Sequence, residues 1–296
     1  MDPNKQKSAS FHLAGIIPVA GQKLDFCMPW HDCMQPLAPG YLAIHHAVME
    51  CAWAGCETIW ITCHTDMQPL IRHEIGDYVY DPVWYGRHSE PRPSEVRKTI
   101  PIYYVPIHPN DRDKRDCLGW SVLYGANAAY WTCRQMSRWL TPNKYYAAFP
   151  YGVYDNELLR VNRKAISSSK GFYLTYAGQN ISDNMYLGFT FNAEDFKRYR
   201  ALLRASATGI KSTSLDKTLP IEERWSARHF PLDKVFEFAI IDNDTTLQEL
   251  PWYHDIGTWE GYCSFIASSD RAEVKKPFKK ILEYHEFNPI GIDNER

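Results

Sequence analysis

The sequence predicts an α/β protein with a doubly wound, mostly parallel sheet and a smaller α+β lobe. Three observations carry this. Short apolar runs at 13–19, 58–63, 100–107 and 144–149 alternate with segments of helical spacing. The run at 58–63 is β-branched and apolar throughout, as strands covered on both faces are. From about residue 166 the pattern changes to short aromatic strands around one amphipathic helix.

In order, Leu13 to Val19 reads as a buried strand that stops at Pro18-Val19-Ala20-Gly21, where glycine marks a turn. Tyr41 to Ala54 carries Leu42, Val48, Met49, Ala52 and Trp53 at helical spacing and ends on Gly55, a natural helix stop. Thr58 to Cys63 is the second strand, 67–76 a short helix opened by Pro69, and 100–107 the third strand. A long helix over Gly119 to Leu140 and a strand over Lys144 to Phe149 follow. FYLTYAG and MYLGFTF predict antiparallel strands, and Asn192 predicts the N-cap of a helix through AEDFKRYRALLRAS. KVFEFAII at 234–241 returns to strand character and leads into PWYHDIGTWEGY, a further helix and a charged tail. The boundaries expected are a disordered tail at 1–10, a core at 11–165, the lobe at 166–232 and a return to the core at 233–296.

At 296 residues, 45% hydrophobic and 23% charged, the chain can bury a large core without disulfides. No segment approaches the roughly eighteen apolar residues of a membrane helix. The first ten residues lack the apolar stretch of a secretory signal, and eight scattered cysteines without a CxxC pair suit buried thiols, so a reducing cytoplasm is expected. A formal charge of −2 gives no general pull toward nucleic acid or membrane, and RDKRD at 112–116 reads as a solvated loop. Cys27, His31 and Cys33 match no zinc spacing and read as a packed loop. At least one of His45 and His46 is expected on a helix surface.

Ligands of open α/β sheets collect at the carboxyl ends of the strands, which singles out Ala20-Gly21-Gln22-Lys23. Glycine admits a close approach of backbone amides to a phosphate, and Lys23 offers charge, although glycine after a strand is also an ordinary turn. In Trp252 to Tyr262 a carboxylate, Asp255, precedes a glycine turn and Thr258, which suits a metal ligand before a capped helix or a plain turn. Asp242-Asn243-Asp244 has the D-x-D form that can hold one cation, and equally that of a turn after a strand.

These segments resemble the sugar-1-phosphate nucleotidyltransferases of the glucose-1-phosphate thymidylyltransferase type. Ala20-Gly21 matches the start of that family's A-G-x-G-T-R, and Gln35-Pro36-Leu37-Ala38-Pro39 falls where the family has its lysine stretch. Ala54-Gly55 with Glu57 to Ile61 is similar to its A-G-x-x-x-I-x-I element. Leu118-Gly119-Trp120-Ser121 resembles the loop that contacts the base, and Trp252 to Tyr262 resembles W-x-D-x-G-T-x-x-x-Y, whose Asp binds metal. The resemblance runs in order from residue 13 to about 265. It implies a nucleotide-diphospho-sugar transferase-like fold of the GT-A type, with 11–165 as the nucleotide-binding core and 166–232 as the substrate lobe. It implies Ala20, Gly21, Gln22, Gln35, Gly119 and Trp120 as nucleotide contacts, Lys23 and Asp255 as catalytic groups, and Mg²⁺ held by Asp255 and by Asp155. The implied reaction is transfer of a nucleotidyl group to a sugar phosphate with release of pyrophosphate, driven by electrostatic stabilisation. The implied partners are a nucleotide or sugar nucleotide, a sugar phosphate and a further copy of the chain.

The departures are as informative. Lys23-Leu24-Asp25 stands where the family has Gly-Thr-Arg, Gln35 replaces a second cation, and Tyr151 stands nearest the first metal-binding Asp, with Asp155 four residues on. Losing such a group commonly costs about a thousandfold in rate. Replacement cations would have to come from Lys23, Arg112, Lys114 or Arg115. The alternatives are therefore a degenerate member kept for binding, regulation or assembly, and a glycosyltransferase using Asp242 and Asp244. MPWHDC and AFPYGVYDNE are also similar to nucleotidyltransferase-like proteins of large tailed phages, which would place the chain in an infected bacterial cytoplasm.

Overall fold

The computed structural model describes residues 11–21, 30–86, 99–108, 111, 117–137, 140–207, 232–237 and 245–277. Its elements are β1 (Leu13–Pro18), β2 (Pro36–Ala38), β3 (Tyr41–Leu42), α1 (Ala43–Ala54), β4 (Thr58–Cys63), α2 (Gln68–Ile75), β5 (Tyr78–Tyr80), α3 (Pro82–Gly86) and β6 (Thr99–Pro106). They continue as α4 (Leu118–Met136), β7 (Lys144–Ala147), β8 (Gly152–Val153), α5 (Leu159–Ile166), β9 (Phe172–Thr175), β10 (Phe189–Phe191), α6 (Ala193–Ala207), α7 (Leu232–Val235), β11 (Thr246–Glu249), β12 (His254–Asp255) and α8 (Trp259–Ala267).

One eight-stranded sheet in the order β11-β9-β10-β7-β1-β4-β6-β5 organises the molecule. The pairs β7·β1, β1·β4, β4·β6 and β11·β9 are parallel, and only β10 and β5 run against the rest. The doubly wound, mostly parallel α/β sheet is as the sequence predicts. From β1 the chain builds outward through β4 to β6, then returns to place β7 on the other side of β1. The order therefore reverses between β1 and β7, where such sheets open a crevice at the carboxyl ends of their strands.

β1 lies in the middle because all six of its residues are buried, so it needs cover on both faces. α1 and α4 supply part of it, and α1 stops at Gly55, whose φ of +89° suits glycine. Arg163 fastens that helix end by donating to the carbonyls of Ala52 and Trp53 and, bidentately, to Asp81. Lys144 donates to the carbonyls of Ile166, Ser168 and Lys170. Burial lowers its pKa to about 8.

The antiparallel strands expected in the lobe are β9 and β10. They extend the central sheet beyond β7 rather than forming one of their own. Asn192 caps α6 by accepting from Glu194 and Asp195, as predicted. The strand expected over 234–241 begins instead as α7, since Leu232 and Val235 bury one turn apart and Asn184 accepts the Leu232 N–H; residues 238–241 lie outside the described residues, as do 1–10. Both members of the histidine pair are buried, correcting the surface reading. His45 accepts the Leu42 N–H at the start of α1 and His46 packs on Tyr41 and Tyr154. No helix among the described residues is long and apolar enough to cross a membrane.

Candidate functional site at the carboxyl edge

The turn after β1 is clamped from two sides. The N–H groups of Val19 and Ala20 both donate to the Thr62 carbonyl, at 2.9 and 3.0 Å, and the Ser121 hydroxyl donates to the Ala20 carbonyl. Gly21 has a φ of +85°, and a Cβ there would lie 2.4 Å from the Cys117 backbone. Glycine thus serves conformation and clearance together, bringing the turn against the N-terminus of α4. Cys117 caps that helix by accepting from Trp120 N–H.

Beyond β7 the chain reaches Tyr151. Tyr151 is fully buried and its hydroxyl donates to the Val19 carbonyl at 3.2 Å, spanning the reversal in strand order. Burial, with Cys33 and Asp32 beside it, pushes its pKa well up, so it stays a neutral phenol. Just beyond it, β8 pairs with β12 in antiparallel register, Gly152 opposite Asp255 and Val153 opposite His254. The Ile256 N–H donates to the Tyr151 carbonyl at 2.8 Å. The β1 turn, the start of α4, Tyr151 and Asp255 therefore share one edge.

Asp255 accepts from the Gly257 N–H at 2.8 Å. Desolvation raises its pKa, opposed by that hydrogen bond. Thr258 caps α8 by accepting from Gly261, and Gly261 is required there because a Cβ would lie 2.0 Å from the Asp255 carbonyl. His254 bonds Asp270 at 2.8 Å.

Asp155 caps a turn at Asn156–Leu158 by accepting the Glu157 N–H at 3.1 Å. Gln35 is 1% exposed, its amide nitrogen without a hydrogen-bond partner among the described residues. The side chain of Val235 lies where a Cβ on Gly119 would sit, 2.8 Å away, so the space over Gly119 is filled. Trp120 is buried, its ring centre 6.3 Å from that of Tyr124. Gln22, Lys23, Cys27, Arg112, Lys114, Arg115, Asp242 and Asp244 lie outside the described residues.

A magnesium site of the two-carboxylate kind does not fit what is described. Asp255 supplies one carboxylate, the second one expected, Asp155, is engaged in capping the turn at Asn156–Leu158, and no group of three or more His, Cys, Asp or Glu among the described residues is arranged to hold a metal. Two features escaped sequence reasoning. One is the buried placement of Asp32 beside Tyr151, for which a loop sequence gives no signal. The other is a polar cavity between α4 and α6.

No protein-family model matches the sequence, and no curated protein does. Among solved structures, a protein described as a glucose-1-phosphate thymidylyltransferase of Bacillus anthracis, with sucrose bound, is similar at a TM-score of 0.56 and 9% identity, over 90% of this chain and 97% of that one. A nucleotidyl transferase from Methanothermobacter is similar at 0.49 and 13% identity, over 86% and 98%. A 4-diphosphocytidyl-2C-methyl-D-erythritol synthase from Anaerococcus prevotii is similar at 0.46 and 12%, over 89% and 99%.

Proposed function

We propose that this chain, which has the fold of a sugar-nucleotide nucleotidyltransferase, binds a nucleotide or sugar nucleotide at the carboxyl edge of its parallel strands without the two-carboxylate metal chemistry of nucleotidyl transfer. The observation that carries this reading is the Tyr151 to Val19 hydrogen bond. The resemblance sets Tyr151 nearest the family's first metal-binding Asp, and that side chain is a neutral phenol committed to Val19. The site of this reading is the carboxyl edge at the reversal in strand order, which carries the clamped turn at Ala20-Gly21 and Asp255. Without a cation beside it, Asp255 accepts hydrogen bonds from ribose or sugar hydroxyls.

The second reading, nucleotidyl transfer to a sugar phosphate, is favoured by one observation. Asp255 is held by backbone register to β8, ahead of a capped helix. Calorimetry with each NTP and with nucleoside-diphosphate sugars, in EDTA and in Mg²⁺, separates the two when joined to a pyrophosphate assay over a panel of sugar phosphates. Binding that survives EDTA, with no pyrophosphate, is expected. Pyrophosphate release dependent on Mg²⁺ would replace the first reading by the second, and no binding under either condition would end both.

A further inference from the structure

We infer that the cavity between the β2–β3 hairpin and α8 binds a small molecule with an apolar body and one anionic group, an aliphatic or aromatic acid. The cavity measures about 540 Å³, inside the ~300–1,000 Å³ range of small-molecule sites. Its lining includes neither Tyr151 nor the Ala20-Gly21 turn, so a ligand here is separate from the nucleotide proposed above.

α8 divides its residues between two surroundings. Phe265 is fully buried, and a Cβ on Gly261 would lie 2.0 Å from the Asp255 carbonyl, so that face packs on β12 and the core. Trp259, Tyr262, Cys263 and Ile266, separated by three and four positions, form the opposite face and line the cavity. A surface helix ordinarily turns charged and polar side chains away from the core. Here the outward face is apolar, with Trp259 46% exposed and Cys263 exposed as well.

The facing wall is the hairpin, and its polar groups are committed. Pro36 and Pro39 have no N–H to offer. The Pro36 carbonyl accepts from the Tyr262 hydroxyl at 2.9 Å, and the Pro39 carbonyl from Lys276 at 3.0 Å. These bonds tie the hairpin to α8 and to the segment after it, so the two walls are fixed in advance of any ligand. Sugar hydroxyls or the edges of a nucleobase would lose their water here and find few groups to bond. An apolar body has no such loss.

The charge comes from Arg271, which is exposed and is the one charged side chain among the described residues that line the cavity. Its guanidinium makes no ion pair or side-chain hydrogen bond with a described residue. Asp270, beside it in the chain, is taken by His254 at 2.8 Å. The Tyr262 phenol feels the Arg271 charge, yet burial raises its pKa and keeps it protonated, so it cancels none of that charge. An anionic group at one end of an apolar body answers both halves of this lining.

The test uses the full chain and two fluorescent probes that share one apolar body, 8-anilinonaphthalene-1-sulfonate and its uncharged parent N-phenyl-1-naphthylamine. The native protein is expected to bind one sulfonate per chain and to prefer it to the parent. Arg271→Gln should weaken the sulfonate about three- to tenfold, the value of one charge-assisted contact at an exposed group, and leave the parent unchanged. Cys263 reads the location independently. Its alkylation by iodoacetamide, followed by the mass of its peptide, should slow about tenfold when free sulfonate stands at nine times its Kd, because an occupied cavity covers the thiol. Saturating nucleotide should leave both readings unchanged. Thermal melting of Arg271→Gln controls for folding. Native sulfonate affinity in that variant, equal weakening of both probes, an unprotected Cys263 or displacement of the probe by nucleotide would overturn the inference. So would a chain that forms dimers and admits the probe only after Trp259→Ala separates them, since a second copy would then hold this face.

Discussion

The hydroxyl of Tyr151 donates to the carbonyl of Val19, joining the segment after β7 to the end of β1 across the reversal in strand order. Tyr151→Phe leaves that buried carbonyl without its partner. A loss of about 1–2 kcal/mol in unfolding free energy is expected, read from the midpoint of urea denaturation at unchanged slope.

Gly21 is a second constraint at the same place. Gly21→Ala combines a positive φ with a Cβ 2.4 Å from the Cys117 backbone. The chain must move either the turn or the start of α4. We expect about 2–4 kcal/mol of destabilisation and a loss of nucleotide affinity, measured by denaturation and calorimetry.

Arg163→Ala removes a bidentate partner from Asp81, whose side chain is only 4% exposed, and two carbonyl contacts at the end of α1. Breaking such a pair from one side costs about 3–5 kcal/mol. Arg163→Lys should recover only part of this, because an ammonium cannot make the two-pronged contact. Thermal denaturation of the two variants side by side decides the point.

Stability should also depend on pH in a stated direction. Glu50 is fully buried, accepts from Tyr146, and has its pKa raised to about 8 by desolvation. The folded state then holds a proton that the unfolded chain releases near its ordinary carboxylate pKa, so this contribution is complete at low pH and is lost as pH rises toward 8. His31, His45 and His46 act oppositely. Burial lowers each to about 4, so their contribution is complete above the ordinary histidine value and is lost as pH falls toward 4. Where the two windows overlap, three groups outweigh one, and stability from these four residues peaks near the ordinary histidine value of about 6.5. Glu50→Gln should remove the decline on the alkaline side, visible as a higher denaturation midpoint at pH 8 and little change at pH 5.

Much of this architecture is legible in the residues. The strands at 13–19, 58–63 and 100–107 declare themselves because buried parallel strands are apolar throughout. Gly55 and Asn192 declare helix ends because their backbone and side-chain chemistry leaves few other uses. β11, Thr-Leu-Gln-Glu, is hidden because an edge strand with half its side chains in water carries no apolar run. Val235 and Phe236 read as strand because they are bulky and apolar, yet tertiary burial against α4 and the aromatic cluster around Phe189 makes them part of a helical turn. In the site, the register of Asp255 on Gly152 and the commitment of Tyr151 to Val19 join residues about a hundred or more positions apart. No local pattern encodes such pairings. The aromatic and amide face of α4 is likewise a property of its packing on α6.

The antiparallel pairing of β8 with β12 carries a consequence for biosynthesis. The four neighbouring parallel strands are all present once residue 147 has emerged from the ribosome, but Asp255 arrives more than a hundred residues later. A nascent chain can therefore collapse around a finished core before Asp255 joins the proposed site. On the proposed reading, ligand capture then reports the near-complete chain, and a prematurely terminated product, however well folded its first half, is silent.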